Sequence, residues 1–318
     1  MMTLTGMTMM IFDIIFIVLG VTLVLWGADR LTEGASSLAR RMNVPEMIIG
    51  LTIVAAGTSA PELFVSLVSA LKGTPDMAVG NVVGSNTMNA MLIVGCAAAV
   101  APMVISRSTV RKDIPFAIGA TLLLMALTYD GSLSWVDGII LLAGFAAFMV
   151  YTLRQAKAGS SEEKATATNM KTGKAVLYLI GGLAGLVVGS NVFVDHASNL
   201  AFALGISEAV VGLTVVAGGT SLPELATSVV AARKGQSAIA IGNVIGSNVF
   251  NILMILGLTG VICPLEIEGI TLVDQAVMLV SIVLVWLFSR TRYTVERWEG
   301  ALLVVGYLVY LAWLITSL

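Results

Sequence analysis

The sequence predicts an all-α integral membrane protein whose ten transmembrane helices form two five-helix repeats of inverted topology. Three observations carry this prediction: the hydropathy, an internal duplication, and the placement of basic residues. The chain of 318 residues is 58% hydrophobic and 11% charged, with a mean hydropathy of +0.97. Soluble domains carry about 25% charged residues, so the composition places the chain in a membrane.

Hydrophobic runs of about 20 residues recur along the chain, and each is long enough to cross about 30 Å of hydrocarbon as a helix. A membrane β-barrel would instead need alternating segments of about ten residues. The N-terminus lacks the basic start and cleavage site of a signal peptide, so we expect the first run to be retained as a helix. The ten predicted crossings lie near residues 11–29, 44–71, 76–101, 114–129, 134–153, 174–200, 207–232, 237–263, 271–289 and 298–317.

One stretch occurs twice in the chain. Residues 45–95 reappear as residues 207–257 at a constant offset of 162, with 27 identities in 51 positions. Many apolar positions carry different residues in the two copies, whereas polar residues, glycines and a proline recur. Such residues cost stability in a hydrophobic segment, which makes them candidates for function. In the first copy the recurring residues are Gly57, Thr58, Ser59, Pro61, Glu62, Gly80, Asn81, Gly84, Ser85, Asn86 and Asn89.

The basic residues predict the orientation. With both termini outside, every one of the 17 Lys and Arg residues except Lys72 falls on the cytoplasmic side, as the positive-inside rule requires. A first repeat over residues 1–155 is then separated from a second over 174–318 by a polar cytoplasmic linker, 156–173. Since five helices precede the linker, the second repeat enters the membrane from the opposite side. Secondary transporters with inverted repeats bind their ions near the midplane, at the repeat interface.

Two motifs carry the chemistry in each repeat, G-T-S-x-P-E and G-N-V-x-G-S-N-x-x-N. Helical residues four apart share a face, so each motif is expected to present one oxygen-bearing pair. The symmetry of the repeats would bring these pairs around a common centre. The predicted pairs are Thr58 with Glu62, Ser85 with Asn89, Thr220 with Glu224, and Ser247 with Asn251.

Prolines are expected to break two of these helices. Pro61 and Pro223 lack an N–H and crowd the carbonyl four residues earlier, which frees the carbonyls of Gly57 and Gly219. Free carbonyls at membrane depth persist where they line a cavity. Carbonyls beside carboxylates indicate a cation site, and small residues in the second motif allow close helix approach. These small residues are Gly80, Gly84, Gly242 and Gly246.

The donors are all oxygens, which suits Ca²⁺ with its 6–8 oxygen ligands or several Na⁺. One Ca²⁺ or two Na⁺ neutralise two carboxylates, so competition for shared ligands would couple the ions. Burying a carboxylate costs about 2.5–3.5 kcal/mol on insertion scales, which favours function for Glu62 and Glu224. Zn²⁺ and Cu²⁺ are excluded because no Cys or His reaches the cluster. Asn86 and Asn248 are expected to bridge helices.

The remaining polar residues are given structural roles. Asp29, Glu33, Asn191 and Asp195 are interpreted as interfacial helix ends, and the single histidine, His196, as a solvated helix-end side chain. Ser66 and Ser228 are expected to bond their own helix backbone. Cys96 and Cys263 are assigned neither a disulfide nor a metal.

The two motifs, with G-T-S-A-P-E-L and G-N-V-V-G-S-N-T-M-N in the first copy, resemble the alpha repeats of the sodium/calcium exchanger family, especially its prokaryotic members. The resemblance implies that the second, third, seventh and eighth helices form the ion site, and that the first and sixth slide to switch access. It implies Ca²⁺ chelation by Glu62 and Glu224, helped by Thr58 and Thr220. The implied Na⁺ ligands are Ala55, Ser59, Glu62, Ser85, Asn89, Ala217, Thr220, Ser221, Glu224, Ser247 and Asn251.

The resemblance also implies electrogenic exchange of several Na⁺ for one Ca²⁺ across the cell membrane, with no enzymatic activity and no resident cofactor. The expected partners are the two ions and the lipid bilayer, not nucleic acid, and a monomer would suffice. Several relatives have Asp where this chain has Asn251. With Asn89 also neutral, we predict no K⁺ cotransport and less competition by protons than an Asp-containing site would show.

Alternative functions remain open at this point. A proton/calcium exchanger of the same superfamily would carry G-N-x-x-E in the first helix of the site, where this chain has G-T-S-x-P-E. A cation channel could use a ring of oxygens but does not need inverted repeats with broken helices. A membrane enzyme is disfavoured because the sequence offers no nucleophile and base.

Overall fold

The computed structural model describes residues 4–158, 170–205 and 217–317, which are mostly helical. Within them, seven helices are long and apolar enough to cross a membrane, and a bent pair gives an eighth candidate. The helices are α1 (Leu4–Met42), α2 (Glu46–Thr58), α3 (Ala60–Leu71), α4 (Pro75–Val100), α5 (Ile114–Leu127), α6 (Trp135–Ala158), α7 (Thr172–Ala203), α8 (Ala217–Thr220), α9 (Leu222–Arg233), α10 (Ser237–Ile262), α11 (Leu272–Arg292) and α12 (Arg297–Ser317). Two-residue strands are β1 (Met103–Val104), β2 (Ser132–Leu133), β3 (Leu265–Glu266) and β4 (Thr294–Val295).

The predicted helical membrane architecture is confirmed, whereas the count of ten crossings stays a prediction. Helix α5 has 14 residues, preceded by a π-helical turn over Thr109–Asp113. The seventh predicted crossing, 207–232, begins in residues 206–216, which lie outside the described residues, as do residues 159–169 of the predicted linker.

The first helix is longer than its hydrophobic run predicted, because its polar end is amphipathic. Beyond residue 29, α1 continues to Met42 and ends on Arg40 and Arg41. Leu31, Ala35 and Ala39 are fully buried there, at the four-residue spacing of one helix face. The packed stripe extends the helix, and the terminal arginines complement the negative end of its dipole.

Glycines join α1 to α7 along their length. A Cβ on Gly20 would lie 2.8 Å from the Gly189 carbonyl, and one on Gly27 would lie 2.7 Å from the Gly182 carbonyl. As the residue number rises along α1 it falls along α7, so the helices run antiparallel. They are equivalent elements of the two copies, since Gly20 and Gly182 differ by 162 positions. Backbones this close require glycine.

The short strands link the copies crosswise. Strand β1 pairs with β4, and β2 pairs with β3, both antiparallel. At the offset of 162, β1 is equivalent to β3, and β2 is equivalent to β4. Each strand therefore pairs with a strand of the other copy, but not with its own equivalent there. Glycine contacts cross in the same way, with Gly95 against Gly300 and Gly138 against Gly257.

Breaks occur at equivalent positions in the two copies. A break at Ser59, with φ −83° and ψ 8°, separates α2 from α3, and these helices meet at a bend of 45°. Ser221, with φ −90° and ψ 6°, separates α8 from α9 in the same way. Helix α4 contains a π-helical turn over Asn89–Ile93, and α10 contains one over Phe250–Leu256. Such turns are frequent at functional sites.

Candidate functional site

Two buried carboxylates lie at the centre of the protein, each held by a hydroxyl from the other copy. Glu62 and Glu224 are 0% and 1% exposed. Ser59 donates a hydrogen bond to Glu224 Oε1 over 3.0 Å, and Ser221 donates one to Glu62 Oε1 over 3.1 Å. The two helix breaks therefore place their serines across the repeat interface, which makes the two motifs parts of a single site.

Thr58 also bonds across the repeat interface. Its Oγ1 lies 3.0 Å from Asn243 Oδ1 in the other copy. That Thr58 shares a helix face with Glu62 stays a prediction, since the break at Ser59 interrupts the helix between them.

The serines of the second motif reach the same centre. Ser85 Oγ lies 3.2 Å from Ser221 Oγ, and Ser247 donates to Glu224 Oε1 over 3.5 Å. The structure thus brings together the predicted hydroxyls of both motifs and both carboxylates. Ala55 lies one turn before the break, where its carbonyl accepts the Ser59 N–H over 3.0 Å. Ala217 begins α8 at the equivalent position.

Four buried oxygens of the two motifs have no hydrogen-bond partner among the described residues. They are Glu62 Oε2, Glu224 Oε2, Asn89 Oδ1 and Asn251 Oδ1, the same two positions from each copy. Buried polar atoms are nearly always paired, so four unpaired acceptors indicate a ligand. Among the described residues no three His, Cys, Asp or Glu side chains cluster as a metal site. Carboxylate and amide oxygens instead match a hard cation such as Ca²⁺ or Na⁺.

A further pair of asparagines supports this centre, although the sequence assigned them no specific role. Asn81 Nδ2 donates to the Glu62 carbonyl over 3.1 Å and to Ser66 Oγ over 2.9 Å. Asn243 makes the equivalent contacts with Glu224 and Ser228 over 3.4 and 3.1 Å. The recurrence of the asparagine in both copies was the available signal.

Ser66 and Ser228 differ from their predicted role. Ser66 Oγ donates to the Ala78 carbonyl over 3.1 Å, and Ser228 Oγ donates to the Ala240 carbonyl over 3.4 Å. Each serine therefore bonds a neighbouring helix, not its own. Each also accepts from an asparagine side chain, so these hydroxyls connect the helices that carry the site.

Two predicted helix-end groups make polar contacts with other segments of the chain. His196 Nδ1 lies 2.8 Å from Asp13 Oδ1 and its ring stacks on Phe16 at 4.5 Å between centroids, so it is not the solvated side chain expected. Asp29 pairs with Lys234 over 2.7 Å. The single histidine is held between α1 and α7 and reaches no group of the central site.

These features define a multi-pass helical membrane protein with a buried centre of oxygen donors contributed by two equivalent segments. A family model described as "Sodium/calcium exchanger protein" matches residues 12–154 and again residues 174–316. The chain therefore belongs to the sodium/calcium exchanger family, whose members are transporters.

Relatives of similar length support this assignment. Inner membrane protein YrbG of Escherichia coli is 40% identical, covering 94% of this chain and 95% of its own length. Sodium/calcium exchanger MaX1 of Methanosarcina acetivorans is 31% identical, covering 94% and 97%. A solved structure of the sodium-calcium exchanger NCX_Mj, soaked with 10 mM Na⁺ and zero Ca²⁺, superposes with a TM-score of 0.84 at 33% identity. That alignment covers 95% of this chain and 99% of the solved chain.

Proposed function

We propose that the protein is a secondary active antiporter that exchanges several Na⁺ for one Ca²⁺ by alternating access. The observation that carries the proposal is the pair of buried carboxylates, Glu62 and Glu224, each with one unpaired oxygen. Two negative charges in a buried centre need cations, and either one Ca²⁺ or two Na⁺ neutralise them. Ions that compete for the same oxygens are exchanged without having to be bound together.

The ligands divide between the ions as follows. Glu62 and Glu224 bind Ca²⁺ with the help of Thr58 and Thr220. The amide oxygens of Asn89 and Asn251 complete sites for Na⁺. The further Na⁺ ligands are Ser59, Ser85, Ser221, Ser247 and the backbone at Ala55 and Ala217. The support for one shared centre is that the hydroxyls of Ser59, Ser85, Ser221 and Ser247 are linked with both carboxylates.

The inverted ten-helix topology, with both termini outside, is part of this proposal. Its support lies in the antiparallel packing of the equivalent helices α1 and α7 and in the crossed strand pairs. Strands β1 and β2 lie before and after α5 in the first copy, and β3 and β4 lie before and after α11 in the second. If α5 and α11 run in opposite directions, the first strand of each copy lies beside the last strand of the other, as observed. The name of the Escherichia coli relative supports placement in the inner or plasma membrane.

Equivalent residues of the two copies differ in solvent exposure, and this difference supports alternating access. Gly84 is exposed and Asn81 is part-exposed, whereas their equivalents Gly246 and Asn243 are buried. Thr58 is buried and Thr220 is part-exposed. A site closed on one side and more open on the other is what an alternating mechanism requires of any single state.

Flux in vesicles tests the proposal. Purified full-length protein is reconstituted, and Ca²⁺ uptake is measured with the Na⁺, K⁺ and pH gradients varied independently. We expect uptake that follows an outward Na⁺ gradient, responds to membrane potential and is collapsed by external Na⁺. Uptake driven by a pH gradient and indifferent to Na⁺ would instead identify a proton/calcium exchanger. Passive flux of Ca²⁺ that requires no counter-ion would identify a channel.

A further inference from the structure

Four asparagines form a hydrogen-bonded chain between α4 and α10, the helices that carry Ser85 and Ser247. This asparagine chain runs in the order Asn89, Asn248, Asn86 and Asn251. All four side chains are at most 4% exposed. Asn89 and Asn251, the outer pair, each carry one of the unpaired oxygens. Asn86 and Asn248, the inner pair, have no place among the proposed ion ligands.

The inner pair is fixed by backbone carbonyls. Asn86 Nδ2 donates to the Asn248 carbonyl over 3.1 Å, and Asn248 Nδ2 donates to the Asn86 carbonyl over 3.5 Å. A carbonyl can only accept a hydrogen bond, so it selects the NH₂ end of each inner amide. The Oδ1 atom of each inner amide must then point the other way.

Hydrogen bonds to the inner pair determine how the amide groups of the outer pair are oriented. Asn89 Nδ2 donates to Asn248 Oδ1 over 3.0 Å, and Asn251 Nδ2 donates to Asn86 Oδ1 over 3.0 Å. Because the inner oxygens accept, the NH₂ groups of the outer amides face the inner amides. Their Oδ1 atoms point the other way and have no hydrogen-bond partner among the described residues. A rotated outer amide would present N–H donors to a cation and repel it.

We infer that Asn86 and Asn248 are positioning residues that hold the amides of Asn251 and Asn89, respectively, with oxygen toward the transported ion. The inference rests on the proposed function in taking those oxygens as Na⁺ ligands. It assigns each inner residue to one outer residue in the opposite copy, and that pairing separates a positioning role from a general packing role.

A thermodynamic cycle tests the pairing by binding and not by transport. An ion that binds only the folded protein stabilises it by RT ln(1 + [Na⁺]/Kd), so the half-saturating Na⁺ concentration is obtained by fitting the rise in melting temperature of the purified chain with Na⁺ concentration. We expect Asn248→Leu to raise that concentration about tenfold, or about 1.4 kcal/mol. In an Asn89→Ala background the further increase should fall below about twofold, whereas in an Asn251→Ala background the about tenfold increase should persist.

A matched control is Thr121→Val, which also replaces a buried polar group. Thr121 is 3% exposed and its hydroxyl bonds its own helix at Ala117, so Na⁺ affinity should be unchanged. The inference is overturned if Asn248→Leu has no effect, or the same effect in both backgrounds. Vesicle flux is scored separately: a chain that binds Na⁺ with the predicted pairing but exchanges no Ca²⁺ contradicts the proposed function alone.

Discussion

The hydroxyl of Ser59 donates its hydrogen bond over 3.0 Å to Glu224, a residue 165 positions away, although Glu62 lies only three positions along its own segment. Ser221 and Glu62 repeat the relationship from the other copy. Neither motif therefore completes its own site. The serine at each helix break donates a hydrogen bond to the carboxylate of the other copy, so both repeats contribute to one site.

Replacing either carboxylate by its amide should stop exchange. Glu62→Gln and Glu224→Gln keep the volume but leave one negative charge where a Ca²⁺ needs two, so we expect a loss of at least about 100-fold in Na⁺-dependent Ca²⁺ uptake, equivalent to about 2.7 kcal/mol. The control is Glu268→Gln, an exposed glutamate. Near-normal flux in either site variant, at equal reconstituted protein, contradicts the carboxylate model.

The crossed serines should couple energetically to the distant glutamate. In ion-free buffer we expect Ser59→Ala and Glu224→Leu to be non-additive in thermal unfolding by about 1 kcal/mol, since contacting groups couple. Ser59→Ala with Glu62→Leu should be close to additive. Equal coupling to both glutamates would show that the observed hydrogen bond does not determine the energetics of the pair.

Potassium should neither drive nor be required for exchange. Asn89 and Asn251 are both neutral, so the centre has two carboxylates and no charge for a further cation. Replacing external K⁺ with choline should leave the initial uptake rate unchanged.

Asn251→Asp adds a third carboxylate, and a buried carboxylate favours its protonated form. The variant should therefore lose activity more steeply than the wild-type protein as the pH falls. Asn251→Ser, which adds no charge, is the control for altered packing. An identical pH profile in the Asp variant and the wild-type protein would contradict the charge argument.

The glycine contacts between α1 and α7 should be intolerant of a single methyl group. In Gly27→Ala the new Cβ would lie 2.7 Å from the Gly182 carbonyl and from the Leu186 nitrogen. Backbone atoms cannot rotate away, so we expect a destabilisation of about 1–3 kcal/mol and a lower melting temperature. Gly181→Ala is the matched control, because its Cβ would meet nothing within 4 Å. If both variants melt alike, the close packing is not a determinant of stability.

Composition and repetition sufficed to predict much of this protein. The membrane setting follows from hydropathy, and the polar residues that recur at Thr58, Ser59 and Glu62 are the ones that meet at the centre. Prolines predicted the breaks because the lost N–H is a local property of the chain. Asn89 and Asn251 could be found in the same way, from their equivalent positions.

What the sequence could not predict depends on contacts between the copies. The periodicity that paired Thr58 with Glu62 holds only within an unbroken helix, and the break at Ser59 lies between them. The role of Asn81 requires knowing that it faces the Glu62 carbonyl, a contact between two helices. Strands of two residues carry no alternation to detect, and the pairing of His196 with Asp13 joins residues 183 positions apart.

The glycine seam between α1 and α7 bears on how ions are kept from leaking. One helix belongs to each repeat, yet the seam joins their backbones too tightly for them to slide independently. If access switches by displacement of these helices, they travel as one moving part that serves both faces of the membrane. A displacement that opens the site to one side of the membrane would then close it to the other, so the site would not be open to both sides at once. In the proposed exchanger, this coupling would prevent an uncoupled leak of Na⁺ without two separately controlled gates.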